Sequence, residues 1–283
     1  DRRGDWQDAG WDPDEELARL ESAAADLERV FAEGSGELPR SGLDGRGTVL
    51  IVGLPRAGKS LLEQALAAHP EIAAAGELTA LGDIAADLPQ WPVAARNLTQ
   101  ERLAREGARY LKAAGAAAPR ILDTMPFNFL NIGLIGMLLP GARVIGLHRH
   151  PADLALRCLF KNFAGRSLAF TTSIEALGRW LSVYERVMGL WRRAEVTPLH
   201  EVYYENLVHQ PEQTLRGVLG FLELPWDPCV LEFHRIDVSR TGDRPVFEPL
   251  HDREIGAWRH YENMLGSLAD VAARDPGPKG LNP

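Results

Sequence analysis

From Thr48 onward the apolar positions follow two alternating rhythms. "TVLIVGL" (48–54) is an unbroken apolar run, the pattern of a strand buried on both faces of a parallel sheet. "KSLLEQALAAH" follows it and places Leu61, Leu62, Ala65 and Leu66 on one side of a helix. Thr99 is a helix cap, with Leu103, Tyr110 and Leu111 turned inward, and "RILDT" (120–124) reads as a short strand. "FLNIGLIGMLL" leads through Pro140 and Gly141 into a second buried strand, "ARVIGLHR". Pro151 suits the first turn of the next helix. Ser173 opens a long amphipathic helix carrying Leu177, Leu181, Tyr184, Met188 and Trp191. "HEVYYENL" (200–207) reads as a late strand, and Pro211 starts a helix ending near Leu222. This alternation predicts an α/β fold, a three-layer sandwich with a mostly parallel sheet. Ligands of such sheets gather at the carboxyl ends of the strands, where Gly53, Asp123, Arg149 and Tyr204 fall.

Ahead of the sheet, the stretch from Asp14 spaces Leu17, Leu20, Ala24, Leu27 and Phe31 as one helical face, closed by Gly34-Ser35-Gly36. The pattern divides the chain into a helical segment and linker (1–45) and an α/β domain (46–283). The helix fits either plain packing or the end of a helical repeat array, which would give it a helical-repeat neighbour.

Composition narrows the functional classes. With 283 residues, 45% of them hydrophobic and 25% charged, the chain is an ordinary globular protein. Its net charge of -8 argues against a broad nucleic-acid footprint, so any bound polyanion must meet a local Arg and Lys cluster. The longest apolar run, Phe129 to Leu139, is broken by Asn131, Gly133 and Gly136 and is too short for a membrane span. Cys158 and Cys229 stand 71 residues apart without metal-ligand spacing. They read as buried thiols, and with no leader-like opening the expected location is the reducing cytoplasm.

The chemistry concentrates in "IVGLPRAGKS" (51–60). Gly53-x-x-x-x-Gly58-Lys59-Ser60 has the spacing of a P-loop. A strand, a glycine turn and a helix start aim free backbone N–H groups at one point, with the helix dipole behind them. Gly58 lets a phosphate approach the main chain, Ser60 can donate a hydroxyl, and Arg56 and Lys59 add two cations. The turn therefore predicts an anion site. An ATP- or GTP-dependent kinase would also need a magnesium-holding carboxylate, for which Asp123 is the candidate.

"VGLPRAGKSLLEQALAAHPEIAAAGEL" resembles the phosphosulfate loop of sulfotransferases that use 3′-phosphoadenosine 5′-phosphosulfate (PAPS). The similarity is to the bacterial branch often fused to tetratricopeptide repeats, related to the tyrosylprotein sulfotransferases. Three later stretches resemble the same family in the same order: "LDTMPFNFLNIGLIGMLLPGARVIGLHRHPADLALRCLFKNF", "VYYENLVHQPEQTLRGVLGFLELPWD" and "IGAWRHYENML". Together they span most of Thr48 to Leu265.

The resemblance implies a donor site made of Arg56, Ala57, Gly58, Lys59, Ser60, Leu61, Thr124, Arg149, Arg157 and Tyr204. Arg56 and the backbone of Gly58, Lys59 and Ser60 would hold the 5′-phosphosulfate, Arg149 the 3′-phosphate, and Tyr204 would line the pocket. That implies two separated cationic patches, one for each end of the nucleotide, whose product is adenosine 3′,5′-bisphosphate. Glu77 occupies the position of the family's proposed general base, and Lys59 and Arg56 would steady the leaving group without a metal.

The chain departs from the family at several positions. Ala57-Gly58-Lys59 stands where Ser-Gly-Thr is usual, and Thr124 stands where many relatives carry lysine, a cation that Lys59 would replace. His150 follows Arg149 in place of aspartate. Arg157 replaces a serine and could hold the 3′-phosphate or pair with Asp153 or Glu185. Phe247 stands where arginine is common and Glu254 where serine is common. Three readings follow: a sulfotransferase acting on a hydroxyl of a small molecule, lipid, sugar or peptide; a P-loop kinase; or a non-catalytic nucleotide-binding relative. Acceptor choice is expected in segments 82–100 and 165–173, where Trp91, Pro92, Phe163 and Phe170 could line a pocket or simply pack.

Overall fold

The computed structural model describes residues 12–32, 38–115, 117–161, 166–235 and 250–264, so Phe163 and Phe247 lie outside the described residues. Five parallel strands form one sheet: β1 (Thr48–Val52), β2 (Ile72–Gly76), β3 (Arg120–Asp123), β4 (Arg143–His148) and β5 (Leu199–Tyr203), in the order β2-β3-β1-β4-β5. Every residue of β1 and β4 is buried, as expected for central strands covered by helices on both faces.

The helices follow the caps and prolines of the sequence. They are α1 (Pro13–Phe31), α2 (Lys59–Ala67), α3 (Ala80–Asp87), α4 (Gln100–Ala114), α5 (Ile132–Leu138), α6 (Pro151–Leu159), α7 (Ile174–Ala194), α8 (Tyr204–His209) and α9 (Pro211–Phe221). The Thr99 side chain accepts from Arg102 N and caps α4, and the Ser173 side chain accepts from Ala176 N and caps α7.

Three local outcomes differ from the sequence pattern. The stretch 72–76 is a strand, although its short Ile-Ala-Ala-Ala-Gly run carries little strand signal. α3 is a further helix that the apolar pattern does not predict. "HEVYYENL" stops being a strand at Tyr203, and Tyr204 opens α8. The chain turns there because the sheet edge has ended, and the Glu205 carboxylate accepts from His150 N at 2.9 Å, tying α8 to the end of β4.

α1 lies along α7. Its Leu17, Leu20, Ala24, Leu27 and Phe31 are buried in the same core as the sheet. Phe31 meets Trp191 edge-on at 5.1 Å, and a Cβ on Gly133 would come within 2.6 Å of the Phe31 ring. Trp191 Nε1 donates to Phe129 O at 2.7 Å, so this large apolar contact leaves no indole N–H unpaired. Trp91 packs against Phe31 at 6.1 Å, and Phe170 stacks on Trp180 at 4.0 Å. Both aromatic rings therefore belong to the packing of the core. Among the described residues no helix is long and apolar enough to cross a membrane.

Candidate functional site

The turn from β1 into α2 is built on unusual backbone. Arg56 has φ 68° and Gly58 has φ 105°, both in the left-handed region that glycine tolerates and arginine adopts at a cost of about 1–2 kcal/mol. Local bonds hold it: Ala57 N donates to Leu54 O at 3.1 Å, Leu62 N to Gly58 O at 3.1 Å, and the Cys158 thiol to Pro55 O at 3.4 Å. Burial pushes that thiol up to about 12, so Cys158 is an inert prop behind the loop. Cys229, the other free thiol, donates to Ala68 O.

Lys59 begins α2 with its side chain turned inward. It is buried, and its Nζ lies 3.4 Å from Leu54 O. Ala57 is fully buried, whereas Ser60 and Leu61 are half-buried on the first turn of the helix.

β4 and β5 bring the other side of the site to the same place. Their register sets His148 beside Tyr203, so Arg149 and Tyr204 leave the sheet together. The Tyr204 ring covers Gly58: a Cβ there would lie 2.7 Å from Tyr204 Cδ2. Arg149 Cζ sits over that ring, 4.2 Å from its centre. Arg149 Nη1 also donates to Arg56 O at 3.1 Å. The patches expected at opposite ends of a ligand thus adjoin, because Tyr204 stacks both onto the glycine turn.

The cationic cluster holds three arginines. Arg149 is almost wholly buried, while Arg56 and Arg157 are half-buried. Burial, followed by the neighbouring Arg157 charge, pushes the Arg56 guanidinium below its ordinary value. Arg56 Nε, Arg149 Nε and Arg157 Nε are all buried without a hydrogen-bond partner among the described residues. Buried guanidinium donors are seldom left unpaired, so these three form an electropositive cluster with hydrogen-bonding capacity that an anion could use.

Arg157 pairs with neither Asp153 nor Glu185. Its Nη2 contacts Glu254 Oε1, while Glu254 Oε2 lies 3.3 Å from Arg149 Nη2. Asp153 instead accepts from the backbone N–H groups of Gly256 (2.7 Å) and Trp258 (3.0 Å). Trp258 stacks on His150 at 5.2 Å, nearly parallel.

Glu77 and Thr124 lie on the other flank, at the ends of β2 and β3. Thr124 is buried, with its N–H donating to Gly76 O at 2.9 Å; Glu77 is exposed in the bend after β2. With β3 between β2 and β1, Glu77 is two strand spacings, about 10 Å, from the end of β1. The Glu63 carboxylate of α2 accepts from Gly76 N at 3.1 Å and so fixes that flank against the loop helix.

Asp123 is committed elsewhere. Its Oδ1 accepts from Leu78 N (3.3 Å) and Met125 N (3.0 Å), and its Oδ2 from Tyr110 Oη (2.8 Å) and Asn128 Nδ2 (2.9 Å). A carboxylate bonded on both oxygens inside the core organises the β3 turn and offers no ligand to magnesium, which removes the support for a kinase.

A polar cluster not anticipated from sequence lies beneath Arg149. His148 stands 3.1 Å from Glu201 and 3.6 Å from Glu185, and Glu201 also meets Arg192 at 2.6 Å. A cleft of about 460 Å³ opens beside it, between α7 and the ends of β4 and β5, lined by Leu54, Leu147, Leu154 and Tyr184. The sequence signal is slight: a histidine at the end of β4 and a glutamate in the middle of the adjacent β5.

Residues 48–228 match the family model described as the sulfotransferase family. An uncharacterized protein of Aquifex aeolicus is 30% identical over 81% of this chain and 33% of its own length. A protein-tyrosine sulfotransferase of Drosophila melanogaster is 24% identical over 79% of this chain and 50% of its own. The chain thus spans half or less of either relative. Among solved structures, the sulfotransferase domain of the Synechococcus PCC 7002 olefin synthase superposes with a TM-score of 0.56 at 21% identity, covering 85% of this chain and 99% of that one. The sulfotransferase domain from the curacin biosynthetic pathway gives 0.52 at 18% identity, over 84% and 97%. At those identities the two structures establish the shared fold.

Proposed function

The chain belongs to the sulfotransferase family, and on that premise we propose that it transfers a sulfuryl group from PAPS to an acceptor hydroxyl. The observation that carries the donor assignment is the set of three buried, unpartnered arginine Nε atoms beside a left-handed glycine turn. Those residues suit a nucleotide whose ribose carries a phosphate on both its 3′ and 5′ oxygens, close enough together for adjoining patches to meet. The Gly58–Ser60 backbone and Arg56 would receive the phosphosulfate end, and Arg149 with Arg157 the 3′-phosphate. PAPS supplies an activated sulfuryl group whose departure leaves a phosphate as leaving group.

The rest is the work of this chain's own residues. Lys59 and Arg56, fixed charges at the loop, would stabilise the negative charge that grows on the leaving phosphate oxygen. Glu77 would accept the acceptor's hydroxyl proton as the new oxygen–sulfur bond forms and the old sulfur–oxygen bond breaks. Its exposure suits that role, since the acceptor must reach it from solvent. Lys59 would stand in for the lysine that Thr124 replaces. Tyr204 would hold Arg149 beside the loop. The two free thiols favour a reducing compartment, the cytoplasm.

Calorimetry with adenosine 3′,5′-bisphosphate, and separately with ATP and magnesium, tests the reading. Chelator-insensitive binding of the bisphosphate that is lost in Arg149→Ala supports it; preference for magnesium-ATP overturns it.

A further inference from the structure

The segment 250–261 crosses the mouth of the cationic cluster and is pinned there by two backbone hydrogen bonds to Asp153 and by the Trp258–His150 stack. It delivers the Glu254 carboxylate between Arg149 and Arg157. Resting on the donor reading above, we infer that Glu254 is an internal counter-ion that occupies the 3′-phosphate subsite and must yield it when the nucleotide binds.

Three features carry the inference. The charges are unequal: one carboxylate faces three guanidinium groups, and the excess cation is what a dianionic phosphate would neutralise. The hydrogen bonding is incomplete. Glu254 spends one oxygen on Arg149 Nη2 and the other on Arg157 Nη2, leaving both Nε donors unpaired, whereas a phosphate has further acceptor oxygens for them. The geometry also permits exchange. The Glu254 side chain is 23% exposed and that of Arg149 3%, so the carboxylate stands on the solvent side of a fixed cation. Rotation of the Glu254 side chain withdraws the carboxylate, while the Asp153 bonds to Gly256 and Trp258 and the bond from Arg149 Nη2 to Glu254 O (3.2 Å) keep the backbone of the segment in place.

Glu254 therefore weakens binding of ligands that carry a 3′-phosphate and leaves those without one largely untouched. Calorimetry on wild type and Glu254→Gln should show adenosine 3′,5′-bisphosphate binding tightened by roughly tenfold or more, the scale of one charge-assisted contact. Adenosine 5′-monophosphate, measured alongside, should shift less than about twofold because it leaves the subsite empty. Unchanged or weakened bisphosphate binding in Glu254→Gln overturns the inference while leaving the donor reading intact. Failure of both proteins to bind either nucleotide overturns the donor reading, and the counter-ion is then judged by thermal melting without nucleotide. Glu254→Gln should melt below wild type and gain more from added inorganic phosphate, and equal melting temperatures and equal phosphate responses in the two proteins overturn the contact.

Discussion

The Tyr204 ring occupies the space that a side chain on Gly58 would fill, 2.7 Å from the position of its Cβ. Two requirements thus fall on one residue, since φ 105° at Gly58 already disfavours any side chain. Gly58→Ala should displace the ring, and with it the Arg149 guanidinium, whose Cζ sits over the ring 4.2 Å from its centre. We expect a loss of about 2–4 kcal/mol in stability from strain and clash together. Bisphosphate binding should fall below detection, as read by chemical denaturation and calorimetry. Binding that survives in Gly58→Ala would show that the stack does not organise the site.

Arg149 and lysine are not equivalent here. The guanidinium carbon sits 4.2 Å over the Tyr204 ring centre, and the group donates to Arg56 O through one terminal nitrogen and contacts Glu254 through the other. A lysine could keep the charge but would lose the fork and the stack. Arg149→Lys should therefore weaken bisphosphate binding by nearly as much as Arg149→Ala, on the order of 100-fold, in line with losing a charge-assisted pair. Near-wild-type affinity in the lysine variant would reduce Arg149 to a point charge.

Proton removal and donor binding are assigned to opposite flanks, so they should separate on mutation. Glu77→Gln should lower turnover by about 10²–10⁴-fold, the range for general acid–base catalysis, with bisphosphate affinity unchanged. Lys59→Thr restores the residue usual in the family's loop while removing a buried cation. It should depress turnover strongly and weaken the bisphosphate only modestly, because the leaving-group charge is larger in the transition state. Equal losses of binding and turnover in Glu77→Gln would place that residue in binding instead.

The legible parts of this molecule were those written in local pattern. The run at 48–54 and the caps at Thr99 and Ser173 announce their elements, and the spacing of Gly53, Gly58 and Lys59 announces a tight turn from strand into helix. β2 went unseen because three alanines have little strand preference, and its partner β3 supplies the pairing. The pattern runs past the end of β5 because Val202, Tyr203 and Tyr204 suit a strand by type, whereas the bond from His150 N to Glu205 is long-range. Glu254 illustrates the same limit. It is 97 residues beyond Arg157 in the chain, and long-range contacts bring it to the arginines: the bonds from Gly256 and Trp258 to Asp153, the Trp258–His150 stack and the bond from Arg149 to Glu254 O.

The pH response should betray the cluster that supports Arg149. Burial alone would lower the pKa of His148, but the hydrogen bonds and charges of Glu185 and Glu201 outweigh it and raise the imidazole to about 9 from 6.5. Glu201 is held at about 2, below 4.5, first by its bond to His148 and then, against burial, by Arg192. The groups facing His148 are thus two carboxylates and, through Glu201, one guanidinium, with the rings of Tyr184 and Tyr203 alongside. A raised histidine contributes its full stability below about pH 6.5 and loses it as pH climbs through about 9. A depressed glutamate contributes fully above about pH 4.5 and loses it as pH falls toward about 2. The cluster therefore stabilises most between about pH 4.5 and 6.5. Melting temperatures measured from pH 6.5 to 9.5 should fall in wild type and stay flatter in His148→Gln. Since His148 ends β4 immediately before Arg149, bisphosphate affinity should weaken over the same range in wild type more than in the variant. Parallel curves for the two proteins would mean that the imidazolium neither stabilises the strand end nor steadies the arginine.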